Sequence, residues 1–175
     1  MKTFTRIVFG LLRIWLGYTW FTASLEKIGN PVWTGDKAGV AISGFFQGAL
    51  AKAAGEHPSV QGWYASFIHG VALPNAKFFS YLIPTGEFLV GLALILGAFT
   101  TFAAVMGALM NLNFMLAGTT STNPILYTVA IIIIVAGVAR VGYYGVDYFL
   151  MPYVRPILGR LGLKWGQREA TASAR

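Results

Sequence analysis

Four charged residues, Arg13, Glu87, Arg140 and Asp147, stand inside or at the edge of apolar sequence. A charge at the centre of an apolar helix costs about 2.5–3.5 kcal/mol on insertion scales, so several in one short chain must compensate one another. The pairing expected from their types and depth is Glu87 with Arg13. Arg140 then lies beside that pair, joins Asp147 or snorkels toward the helix end. Asn111 and Tyr144 supply hydrogen bonds, and Trp20, on the same face as Arg13 and two turns along, can stack on a flat ring. Two readings of this set stand side by side. In one it fixes the order and register of the helices; in the other it is a site for a polar headgroup, where two guanidiniums against one carboxylate suit an anion or a quinone carbonyl. The second reading makes Arg13, Glu87, Arg140 and Asp147 the candidate catalytic residues. It makes Trp20, Asn111 and Tyr144 the candidate cofactor-binding residues, with Glu87 or Asp147 relaying protons.

The elements that carry these residues follow from the apolar runs. Four spans are expected, at about 5–28, 77–98, 101–118 and 124–146, each near the roughly 20 residues that cross a bilayer. On the first, Arg6, Gly10, Arg13, Gly17, Trp20, Ser24 and Lys27 share one helical stripe, while Ile7, Phe9, Leu11, Leu12, Ile14 and Leu16 fall off it. On the second, Ser80, Pro84, Glu87, Gly91, Leu94 and Ala98 do the same. The third carries Ala104, Gly107 and Asn111 on one face and Asn113 on another. The fourth opens with Asn123-Pro124 as a helix start and carries Gly137, Arg140, Tyr144 and Asp147. The short links Phe99–Thr101 and Thr119–Asn123 make the last three spans antiparallel neighbours.

Between the first two spans, residues 30–76 hold two further helical patterns, Val40–Ala54 and Val60–Leu73, broken by Gly55 and Pro58. Their aromatic residues, Trp33, Phe45, Phe46, Trp63, Tyr64 and Phe67, suit a membrane interface. The fold expected is all-α: a polytopic membrane protein, a four-transmembrane-helix bundle with a helical extracytoplasmic segment between spans 1 and 2. Residues 1–150 form that single domain and 151–175 a basic cytoplasmic tail.

Composition agrees. Of 175 residues, 56% are hydrophobic and 11% charged, and mean hydropathy is +0.64, outside the balance of soluble domains. The net charge of +7 is concentrated in Arg155, Arg160, Lys164, Arg168 and Arg175. With Lys2 and Arg6 at the other end, these place both termini in the cytoplasm, and no groove-reading motif points to nucleic acid. The chain has no cysteine, which excludes disulfides, thiol exchange and cysteine-held clusters. His57, His69 and Glu56 lack metal-ligand spacing, so no metal is expected. Ser24, Ser43 and Ser66 lack the context of a catalytic nucleophile.

Three motifs taken together resemble the DoxX family. The opening span carries Arg13 and Gly17, followed by Glu26-Lys27-Ile28. The second has a central Glu87 and the ending Gly91, Leu94, Gly97. The last closes with Gly137, Arg140, Gly142, Tyr143, Tyr144, Gly145 and Asp147. The long segment between spans one and two resembles the DoxD branch, described as the membrane subunit of thiosulfate:quinone oxidoreductase. The resemblance implies a four-helix membrane bundle in the prokaryotic cell (inner) membrane, oxidation of thiosulfate or a related small sulfur compound, and membrane quinone as cofactor and electron acceptor. Lys27, Lys37, Lys52, Lys77 and the histidines are the groups available to draw in such a dianion. No residue is a recognisable electron carrier, so a second subunit or a homo-oligomer is an expected partner beside the lipid bilayer. The rival function is a non-catalytic DoxX-type membrane partner or scaffold that anchors another enzyme; an anion transporter suits four unrepeated helices less well.

Overall fold

The computed structural model describes residues 2–137 and 141–160. Among these residues the chain forms only helices and their connections. Helix α1 (Lys2–Ile28) ends at Gly29, and Asn30 caps the single turn α2 (Pro31–Thr34) by accepting from the Val32 N–H at 3.1 Å. Helix α3 (Val40–Ala51) follows, then α4 (Gly62–Phe67), which continues directly into a π-helical stretch, Ile68–Ala72. The remaining helices are α5 (Ala76–Leu96), α6 (Thr100–Leu116), α7 (Asn123–Ala136) and α8 (Asp147–Arg160).

The first three expected spans coincide with α1, α5 and α6 to within a few residues, and the two interposed helices with α3 and with α4 and its π-helical extension. The fourth is shorter than expected. Gly137, with φ 79° and ψ 156°, ends α7, and the chain turns through residues 142–146 before α8 begins. The expected domain boundary at residue 150 falls within α8, and most of the basic tail, 161–175, lies outside the described residues.

One helix, α5, is both long and apolar enough to cross a membrane; α3, α6 and α7 are shorter apolar helices. Helix α1 is longer, but Arg13 and its hydroxyl-bearing and aromatic side chains dilute its hydropathy.

Helix α1 packs on α5 and α7, and α6 packs on the same two, so the four close into a bundle. The α1–α5 contact is the closest. A Cβ at Gly17 would sit 2.8 Å from the Ile95 nitrogen and 2.9 Å from the Gly91 oxygen, and one at Gly91 would sit 2.5 Å from the Phe21 nitrogen. Backbone meets backbone here, the approach that small residues permit between apolar helices. This contact sets a stagger: Lys27, at the end of α1, lies opposite Glu87, halfway along α5.

Beyond that level α3, with the π-helical extension of α4 packed on it, takes the place of α1 beside α5. These elements share a second apolar cluster that includes Ile42, Phe46, Val60, Tyr64, Ile68 and Ala76. Ser80 straps the α2–α3 link to α5, donating to the Trp33 carbonyl and accepting from the Gly39 N–H at 3.1 Å. Lys52 Nζ donates to the Gly118 carbonyl at 2.8 Å and ties the end of α3 to the α6–α7 turn.

Candidate functional site in the bundle core

Glu87 does not meet Arg13. Its carboxylate accepts two hydrogen bonds from Lys27 Nζ, at 3.0 Å on Oε1 and 2.8 Å on Oε2, and the pair is buried on the Glu87 side and partly open on the lysine side. Lys27 also donates to the Ala23 carbonyl at 3.3 Å, and its ammonium lies 5.6 Å from the centre of the Trp33 ring. Arg13 is placed about 21 Å from Lys27 along α1, at 1.5 Å per residue. The expected Arg13–Glu87 pair fails on that register, which periodicity within one helix does not reveal. Lys27 itself was on the predicted stripe, so the signal for the true partner was present.

Arg13 is fully buried and serves the opposite end of the bundle. Its Nη1 donates to the Val141 carbonyl at 3.2 Å and its Nη2 to the Tyr144 carbonyl at 3.3 Å. Two glycines make room for it: a Cβ at Gly97 would come 1.9 Å from Nη1, and one at Gly145 would come 2.5 Å from it. Asp147 is equally buried, and its carboxylate accepts from the Phe99 and Thr100 N–H groups at 2.7 and 2.9 Å, capping α6 from a distance in sequence. The backbone joins in, with Val146 and Asp147 N–H groups donating to the Leu96 and Gly97 carbonyls. A guanidinium on carbonyls and a carboxylate at a helix N-terminus are each favourable placements. The hydrogen bonds of both residues go to the backbone.

Tyr144 was expected to point into the core. Its side chain is 53% exposed, and only its carbonyl reaches the site. Its neighbour Tyr143 lies under Arg6, with the guanidinium carbon 3.8 Å from the ring centre. Arg140 lies outside the described residues.

Trp20 and Asn111 are buried as expected, at 3% and 0% exposure, and both are short of partners. Trp20 Nε1, Asn111 Nδ2 and Asn111 Oδ1 make no hydrogen bond. Each such buried group left unpaired costs about 1–3 kcal/mol. They lie near one another: a Cβ at Gly107 would sit 3.1 Å from Trp20 Nε1 and 3.2 Å from Val90 Cγ1. Asn111 is one turn past Gly107 on α6, and Glu87 one turn before Val90 on the antiparallel α5. The Lys27–Glu87 pair and the Asn111 amide therefore share one level of the core.

At that level, between α3, α4, α5 and α6, is a cavity of about 280 Å³. Phe45, Phe46, Phe79, Ile83, Met106 and Met110 line it, with Gly86 at its wall and the Tyr64 hydroxyl donating to Asn113 Oδ1 at 3.0 Å. Sequence reasoning placed the aromatic residues at an interface and did not foresee that they enclose space. The cations proposed to draw in an anion are partly committed, Lys27 to Glu87 and Lys52 to Gly118. Among the described residues no group of His, Asp or Glu is placed to hold a metal ion.

A small helical bundle with an apolar span, close glycine crossings and ionic residues paired in its interior defines the class: a compact helical protein of the membrane-associated kind. The DoxX family profile matches residues 8–120, about two thirds of the chain, and the chain belongs to the DoxX family, which is membrane-associated. The match runs from α1 to the α6–α7 turn, so the closing motif around Tyr143 and Asp147 lies beyond it. No curated protein and no solved structure matches the chain.

Proposed function

We propose that the protein is a four-span bundle of the prokaryotic inner membrane, with both termini cytoplasmic, and that it is the quinone-linked component of an oxidoreductase. The observation that carries this reading is the unpaired Trp20 indole and Asn111 amide, buried in the same bundle core as the Lys27–Glu87 ion pair. They fit a quinone carbonyl, which accepts hydrogen bonds and offers no charge to neutralise. Quinone, when bound, takes up two electrons and two protons; two thiosulfate ions joined sulfur to sulfur as tetrathionate release two electrons. The sulfur donor, thiosulfate or a related small compound, rests on the resemblance to the DoxD branch.

The chain's own contributions are then specific. Asn111 Nδ2 and Trp20 Nε1 orient the headgroup by donating to it. Glu87, steadied by Lys27, holds and passes a proton at its carboxylate. The aromatic walls exclude water. A second subunit or a second copy supplies what the core lacks for the sulfur substrate.

A second reading, a non-catalytic DoxX-type partner that anchors another enzyme, draws on Arg13 and Asp147, which bond the backbone before α8 and the start of α6. Thiosulfate-dependent quinone reduction by the purified protein separates the two. Glu87→Gln and Asn111→Leu are expected to lower the rate tenfold or more while helical content is kept. Unchanged rates in both folded variants would leave the anchoring reading.

A further inference from the structure

The unpaired donors are sealed inside the bundle, whereas the aromatic cavity opens on its side. Phe67, Leu82 and Met106 on the cavity wall are each more than a third exposed. Gly86 and Met110 line the cavity, and each is the chain neighbour of a residue in the polar core, Glu87 and Asn111. A Cβ at Gly86 would lie 3.4 Å from both Sδ and Cε of Met110 and near nothing else, so α5 meets α6 there through a glycine and the end of one flexible thioether. Methionine, with three rotatable side-chain bonds, moves without shifting a helix. The crossings at Gly17 and Gly91 are backbone on backbone and offer no such passage.

We propose that the cavity between α3, α4, α5 and α6 is the entry chamber for a quinone ring, and that Met110 swinging off Gly86 opens it to the Asn111 amide and Trp20 indole. This rests on the quinone reading and adds the route, the gate and the order of contacts. The cavity's size, just under the usual range for ligand pockets, suits one ring and not a whole isoprenoid chain, which leaves the tail in lipid. Its lining is apolar apart from Tyr64 and Asn113, and these are already bonded, the hydroxyl to Asn113 and the amide to the Leu109 carbonyl. A ring therefore finds no polar anchor until it passes Met110.

The test uses the full chain in lipid nanodiscs with a short-tailed quinone, reading affinity by equilibrium dialysis, association rate by stopped flow and the bound carbonyl stretch by infrared difference spectroscopy. In the native chain the carbonyl band is expected to be lowered by hydrogen bonding, and Asn111→Leu to reduce that lowering to what the Trp20 donor alone gives. Met110→Ala should speed association at least tenfold. Gly86→Val should leave the ring bound in the cavity with its carbonyl band unshifted. A shifted band with rates indifferent to Met110→Ala and Gly86→Val would overturn the gate and leave the quinone reading standing, whereas binding with an unshifted band in the native chain would overturn the gate and the headgroup site at Asn111 and Trp20 together. No binding to the native chain would remove both.

Discussion

Lys27 and Glu87 share one ion pair unequally, 22% exposed against 2%, and the inequality fixes what each substitution does. Removing the lysine strands a carboxylate in the core; removing both partners strands nothing. Lys27→Met is therefore expected to destabilise the protein by about 3 kcal/mol, the low end for a broken buried pair because water still reaches the ammonium. Lys27→Met combined with Glu87→Leu should recover most of that loss, as thermal unfolding in detergent will show. A double variant no more stable than the single one would mean that Glu87 is neutral without its partner. The residues of this pair were legible in the sequence as polar members of two helical stripes, but their pairing was not. Arg13 and Lys27 present the same face of α1, and only the stagger set at Gly17 and Gly91 decides which of them reaches Glu87. Leu16 shows the same limit: it falls off the polar stripe and yet is fully buried.

Helix ends carry the next level of specification. Asp147 opens α8 and at the same time caps α6, so one carboxylate holds two helices and the turn between α5 and α6. Asp147→Ala should cost about 1–2 kcal/mol, as capping losses do, and Asp147→Asn less, since an amide oxygen still accepts. Unfolding midpoints of the two variants check the order. Tyr64 sets a pH limit on the packing of α4. Burial pushes its phenol above the usual tyrosine value, so the folded state holds the proton more tightly than the unfolded one. That contribution is complete below about pH 10 and is lost as pH rises through the folded value. Loosening of α4 from α6, seen as phenolate absorbance together with faster amide exchange at α4, is expected only in strong alkali; in Tyr64→Phe the coupled step should disappear. The helices themselves were legible because long apolar runs are cut by Gly29-Asn30-Pro31, Gly97 and Gly118. The short α7 was not, since the run past Gly137 stays apolar. The nearby glycines at 142 and 145 were the signal that the backbone turns there, the second of them clearing space for Arg13.

At the scale of the whole molecule, the question is how many helices lie in lipid. Length and hydropathy alone single out α5, but the outward surface is apolar on all four bundle helices. Leu11 and Tyr18 on α1, Leu89 on α5, Phe102 on α6 and Val135 on α7 are each more than half exposed, a coat that water would not tolerate around a monomer. Helices α6 and α7 are about 25 and 21 Å long at 1.5 Å per residue, short for a bilayer, a mismatch met by thinning of the lipid or by tilt of their neighbours. The alternatives separate cleanly because the chain has no cysteine, so single cysteines label without background. If only α5 crosses, Thr3→Cys and Glu56→Cys react from one side, and Thr120→Cys and Tyr153→Cys from the other. If all four cross, Glu56→Cys and Thr120→Cys react with an impermeant maleimide in intact cells, while Thr3→Cys and Tyr153→Cys react only after permeabilisation. The second pattern is expected, because one face of α1 packs on α5 from Gly17 to Lys27. A helix packed over that length, with Leu11, Tyr18 and Leu25 exposed on its other face, cannot stay in water while the helix it packs against lies in the membrane.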